Sequence, residues 1–139
     1  MIEPYLKQWL SKALNDIAVM QHELVLPEED IIAESVCFHA QQAAEKLLKA
    51  FLMHKGEEVK KTHNLVLLLE FCSRLDRGFR KFELSDLNFY AVQVRYPGDY
   101  ENPSVEDSRH CYALASDMRD FVLQKMKITE KEILNKEKA

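Results

Sequence analysis

The stretch Gln93-Val94-Arg95-Tyr96-Pro97-Gly98-Asp99-Tyr100-Glu101-Asn102-Pro103 gathers residue types that recognise phosphate or a nucleobase. Arginine presents a planar fork of five donors that matches a phosphate edge. Tyr96 and Tyr100 offer rings that stack on a base and hydroxyls that donate to phosphate. Asp99 is placed to orient Arg95. A helix expected to begin near Ser104 would turn its free N–H groups and positive dipole end toward the same anion. The competing reading is structural: Arg95 pairs with Asp99 or Glu101, and the tyrosines pack a turn.

Two other groups have chemical potential. Ser35, His39, Gln42, Lys46 and Lys49, flanked by Glu45, recur at spacings of three and four and so share one line on a helix. A glutamine beside a lysine suits a base edge or a phosphate. The same pattern also describes a solvated face carrying an i,i+4 Glu45–Lys49 pair. Lys60, Lys61 and His63 cluster ahead of a further helix, where they either meet a phosphate or stand in solvent. No metal or cofactor is expected. His22, His39, His54, His63 and His110 form no i,i+4 pair and no H-E-x-x-H, and the neighbours His110 and Cys111 point to different helix faces. G-x-S-x-G, the P-loop and G-x-G-x-x-G are all absent, so ordinary hydrolases and nucleotide-cofactor folds gain no support.

The elements that must position these residues read as helices. With 3 glycines and 4 prolines in 139 residues, breakers are too few for a many-turned β fold. Five amphipathic segments are predicted. The first spans about Glu3 to Leu26, with Pro4 in its first turn and Pro27 ending it. The second spans about Glu29 to His54; Ala33, Val36, Cys37, Ala40, Ala44, Leu47, Leu48 and Phe51 share its apolar face, and Gly56 stops it. The third runs from about Asn64 to Leu75, capped by Thr62 or Asn64. The fourth runs from about Ser85, its N-cap, to Arg95. The fifth begins at Ser104, where Ser104-Val105-Glu106-Asp107 resembles a capping box, and reaches about Lys127. Long helices with short connections predict an all-α antiparallel bundle of about five helices in one domain, residues 1–127, followed by a charged extension or frayed tail, 128–139.

The net charge of −4 argues against broad DNA binding, which needs a basic face, but leaves room for a local basic pocket. Cys37, Cys72 and Cys111 sit among apolar residues at wide spacing and read as reduced, buried thiols. Neither a signal peptide nor an apolar run of membrane-spanning length is visible, so the expected setting is cytoplasmic.

Three blocks together are familiar: Cys37-Phe38-His39-Ala40-Gln41-Gln42-Ala43-Ala44-Glu45-Lys46-Leu47-Leu48-Lys49-Ala50, then Thr62-His63-Asn64-Leu65, then Tyr90-Ala91-Val92-Gln93-Val94-Arg95-Tyr96-Pro97. They resemble the HEPN domain family (higher eukaryotes and prokaryotes nucleotide-binding) over roughly residues 5–125, and the Arg-Tyr-Pro ending is similar to one bacterial and archaeal branch. The resemblance implies a helical bundle similar to the C-terminal domain of kanamycin nucleotidyltransferase. It implies a homodimer that works beside a minimal nucleotidyltransferase, as a toxin–antitoxin or nucleotide-handling pair. It further implies a nucleotide or RNA as ligand. Some members of the family are metal-independent ribonucleases that use an arginine followed, after four to six residues, by a histidine.

The chain departs from that motif. Counting from Arg95, the histidine would fall at Tyr100, Glu101 or Asn102. Tyrosine, with an ordinary pKa near ~10, is a poor base at neutral pH. The expectation is therefore a binding module that holds phosphate through Arg95, Tyr96, Asp99 and Tyr100, aided by His39, Gln42, Lys46, Lys49 and His63. The alternatives are a ribonuclease with a displaced base, for which His39 is the candidate, and a bundle that only binds other proteins.

Overall fold

A computed structural model describes residues 2–59, 61–91 and 102–134 of the chain. Lys60 and residues 92–101, with Arg95, Tyr96, Asp99 and Tyr100, lie outside the described residues. The described residues form an all-helical bundle: α1 (Pro4–Leu24), α2 (Ala33–His54), α3 (Leu65–Leu75), α4 (Ser85–Asn88), α5 (Val105–Met126) and α6 (Glu130–Leu134), with single 3-10 turns at Glu28–Asp30, Arg77–Lys81 and Phe89–Ala91.

The ends follow from local chemistry. Glu3 caps α1, its carboxylate accepting from the N–H groups of Tyr5 and Leu6. Asn64 caps α3 in the same way, while the Thr62 hydroxyl accepts from the N–H of Asn64 itself. Ser104 and Asp107 close a reciprocal capping box at α5, both bonds 2.9 Å. Gly56, at φ +76°, takes the left-handed position that ends α2, and the next N–H reaches back to Leu52. Three boundaries differ from the expectation. α4 ends at Asn88 and gives way to the 3-10 turn Phe89–Ala91 instead of continuing as α-helix. The segment from Glu29 is first a 3-10 turn, and α2 starts only at Ala33. Ser85 is the first residue of α4 rather than its cap; the cap is Leu84, with no side-chain bond, and the Glu83 carboxylate accepts from Ser85 N–H instead.

α2 is the centre of the fold and packs most extensively on α1 and α5, then on α3. α1 runs antiparallel to α2: Trp9 lies near Lys49, and Asp16 near Lys46 and His39. It also runs antiparallel to α5, since Gln21 bonds Tyr112 while Ile2 and Leu6 share a cleft with Met126. α2, α3 and α5 therefore point the same way, and the connection from 55 to 64 returns the chain for α3. Val36, Cys37, Ala40, Ala44, Leu47, Leu48 and Phe51 are all 0–1% exposed, so the predicted apolar face is the core. Phe51, Phe79 and Phe121 stack edge to face at 4.6 and 4.8 Å, with Phe82 against Phe121.

The three thiols are free and buried. Burial pushes Cys72 up to about 12. Cys37 and Cys111 bond one another across α2 and α5. That contact holds Cys37 below the ordinary thiol value and, with burial, pushes Cys111 above it.

Two predictions follow from the Arg77–Lys81 turn. A Cβ at Gly78 would stand 2.6 Å from Phe121 Cζ, so that ring, packed against Phe79 and Phe82, would have to shift. Gly78→Ala should lower stability by about 1–3 kcal/mol in urea denaturation; an unchanged midpoint would show that the ring moves freely. Asp76 accepts from Gly78 N–H at 2.8 Å and pairs with Lys125 at 3.3 Å. The Gly78 bond first, then Lys125, holds its carboxyl below the usual range. A depressed folded pKa gives stability that is present above the unfolded value of ~3.9 and is lost as pH falls through the folded one. Asp76→Asn should flatten that acid limb, measured as midpoint against pH between ~5 and ~2.

Candidate functional site

The polar stripe of α2 is only partly open to solvent: Glu45 and Lys49 are buried, while Ser35, His39, Gln42 and Lys46 keep part of their surface. It meets α1, and each charged member is tied to a partner there or beside it. Asp16, 8% exposed on α1, is the hub of one network. Its carboxylate accepts from Lys46 Nζ at 2.6 Å and faces His39 Nδ1 at 2.9 Å. With the proton on Nδ1, the carboxylate orients the imidazole and leaves Nε2 pointing away from it. Glu45 is the hub of the second. Lys49 Nζ donates to it at 3.3 Å, Gln41 Nε2 at 3.3 Å, and His63 Nδ1 lies 3.0 Å away. Gln42 joins this network by donating to Gln41 at 2.6 Å.

The i,i+4 Glu45–Lys49 pair thus exists, but not on a solvated face. The two side chains are 7% and 6% exposed. The reason is the position of α2: α1, α3 and α5 pack around it, and these two side chains fall on its covered side, while His39, Gln42 and Lys46 stay partly open. His63 is the opposite case. Its ring is 78% exposed, yet it reaches back to Glu45 and so ties the 55–64 connection to α2.

Where α1 and α2 diverge from close contact, they enclose a groove of about 310 Å³. Trp9 and Lys12, with Tyr5 and Gln8, come from α1. Lys46, Lys49 and Glu45 come from α2, and His63 closes one end. Lys49 Nζ sits 5.7 Å from the centre of the Trp9 ring, and Tyr5 meets that ring edge to face at 6.3 Å. The lining holds three ammonium groups; Glu45 meets Lys49 and Asp16 meets Lys46 from beside the groove, so Lys12 is the one without an acidic partner among the described residues.

Three of the residues expected from the sequence, Lys46, Lys49 and His63, therefore converge in one groove. His39 and Gln42 lie on the same helix, joined to the two networks but outside the groove's lining. Asp16, Trp9, Lys12 and Gln41 belong to the site without having been expected there. Nothing in one helix's periodicity shows which residue of another helix Trp9 meets. Among the described residues no cluster of His, Cys, Asp or Glu could hold a metal ion, and no helix is long and apolar enough to cross a membrane.

A helical bundle around a central polar-striped helix, with a lysine-lined groove on its flank, is the class that fold and site define. The model of the HEPN domain matches residues 6–127, and the chain belongs to that family. In structure it is similar to an archaeal HEPN homologue known from its crystal structure, with a TM-score of 0.61 and 21% identity over 87% of this chain and 97% of that one. No curated protein matches the sequence.

The buried pair supplies a prediction. Glu45→Gln leaves Lys49 with its charge and little solvent, which for a buried pair costs about 3–5 kcal/mol, against about 0.3–0.5 for an exposed helix pair. Glu45→Gln combined with Lys49→Met should recover most of the loss. Chemical denaturation of the two variants distinguishes the cases; a single variant within ~0.5 kcal/mol of wild type would place the pair in solvent.

Proposed function

We propose that this HEPN protein is a non-catalytic module that binds a nucleotide or an RNA phosphate. On this reading it is a cytoplasmic homodimer of the Arg-Tyr-Pro branch, acting with a minimal nucleotidyltransferase. The observation that carries the binding reading is the groove: Lys12, Lys46 and Lys49 converge beside Trp9 on a protein whose net charge is −4. Ammonium groups fixed by hydrogen-bonded carboxylates are ready for an anion without further ordering. Arg95 adds a phosphate-binding arginine where the family has one. The family's ribonuclease motif lacks its histidine here, with Tyr100, Glu101 and Asn102 at the three possible positions. That absence supports holding a phosphate rather than cutting beside it.

One observation favours a second reading. His39 is oriented by Asp16, and an imidazole held at Nδ1 presents Nε2 as a proton acceptor. A metal-independent ribonuclease toxin with His39 as displaced base would need that geometry.

Calorimetric titration of ATP, GTP and a short single-stranded RNA into wild type and Arg95→Ala tests both. The expected result is binding of at least one ligand, weakened about tenfold or more by Arg95→Ala, with the RNA left intact. RNA cleavage without metal that is lost in His39→Ala would replace the first reading with the second. No binding of any ligand would leave only a role in binding other proteins.

A further inference from the structure

We propose that the α1–α2 groove holds one nucleotide unit, its base against Trp9 and its phosphate on Lys12 and Lys46. The inference rests on the phosphate-binding reading above and adds the base, the size of the ligand and the residues of α1.

The size comes first. A groove of about 310 Å³ lies at the lower end of small-ligand sites, room for a base with its sugar phosphate and no more. The charge comes next. Glu45 is the groove's own carboxylate, and it is already met by Lys49, Gln41 and His63. Lys12, exposed at the mouth, makes no ion pair or hydrogen bond with any described residue. An ammonium with no partner among the described residues, one helix away from Lys46, fits an anion from outside. Lys46 keeps one bond to Asp16 and has two further N–H donors to offer.

The aromatic component separates a nucleotide from a bare anion. Trp9 is half-buried and lines the groove, so part of its indole is held rigid and part is open. Tyr5 fixes it edge-on, and Lys49 stands over the ring. A base would stack on the part of the indole that Lys49 and Tyr5 leave open. A bare phosphate or sulfate would use the lysines and leave the indole unused. The groove's chemistry is the same for a free nucleotide and for one unit of a single strand, and the experiment separates them.

Trp9 is the single tryptophan of the chain, so its fluorescence reports the groove directly. The probes are AMP, adenosine, ribose 5-phosphate and a short oligoadenylate, each followed by fluorescence and by calorimetry. AMP should quench Trp9 saturably. Adenosine and ribose 5-phosphate should each bind about tenfold or more weakly than AMP. Lys12→Ala, at an exposed site that leaves folding intact, should weaken AMP about tenfold and adenosine little. Trp9→Leu should weaken AMP by about ten- to a hundredfold and spare ribose 5-phosphate. Oligoadenylate tighter than AMP assigns the site to a single strand, and equal affinity to a free nucleotide; either supports the groove. AMP binding by calorimetry without any change at Trp9, or ribose 5-phosphate binding as tightly as AMP, overturns the inference and leaves the phosphate-binding function standing. Failure of every probe, in wild type, overturns the inference; the phosphate-binding reading falls with it only if ATP, GTP and the short RNA also fail to bind.

Discussion

The polar networks between α1 and α2 are organised by the burial of α2. A helix with α1, α3 and α5 around it leaves little of a charged stripe open to solvent, so its charges take internal partners. α1 meets that requirement with Asp16, and α2 meets it within itself through Glu45 and Lys49. Neither network is a simple pair. Asp16 serves both a lysine and a histidine, while Glu45 serves a lysine, a histidine and a glutamine. Buried charges of this kind add little net stability over an apolar core of the same shape. Their effect here is geometric: they set the register of α1 on α2 and the direction in which each cation points.

That geometry leads directly to the groove. Lys46 and Lys49 cannot wander, because each is anchored to a carboxylate. The Trp9 ring is bounded by Lys49 and by Tyr5. The 55–64 connection, otherwise a loop free to move away, is held to α2 through His63 and by the bond from Gln41 to the His63 carbonyl. A ligand that enters meets positions already set, and the ordering that weakens flexible sites has been settled by folding.

Most of the framework was legible in the sequence, because it rests on local chemistry. Asn64, the Ser104–Asp107 box and Gly56 each act within a few residues, and each does what its type predicts. The apolar face of α2 follows from spacing alone. What failed to show was anything that depends on a second helix. The stripe of α2 looked like a solvated face because single-helix periodicity cannot count neighbours. Nothing in the spacing of α1 shows that Asp16 and Lys12 meet α2. Ser85 has the right residue type for a cap, yet the chain enters α4 one residue earlier and gives the job of satisfying that N–H to Glu83. Arg95, Tyr96, Asp99 and Tyr100, on which the phosphate reading began, lie outside the described residues.

The same networks bear on whether such a site binds or cuts. A general base must be within hydrogen-bond reach of the hydroxyl it activates, and its own orienting carboxylate must support the positive charge that forms. The two histidines tied to the α2 networks are both bonded at Nδ1 to a carboxylate that also holds a lysine. A carboxylate with an ammonium at 2.6 Å offers a nascent imidazolium less than one reserved for the imidazole alone. For anion binding the same arrangement is favourable, since it keeps the lysines aligned and their remaining donors directed outward. The chain thus spends its buried carboxylates on fixing cations, an arrangement suited to a protein that holds a phosphate in place.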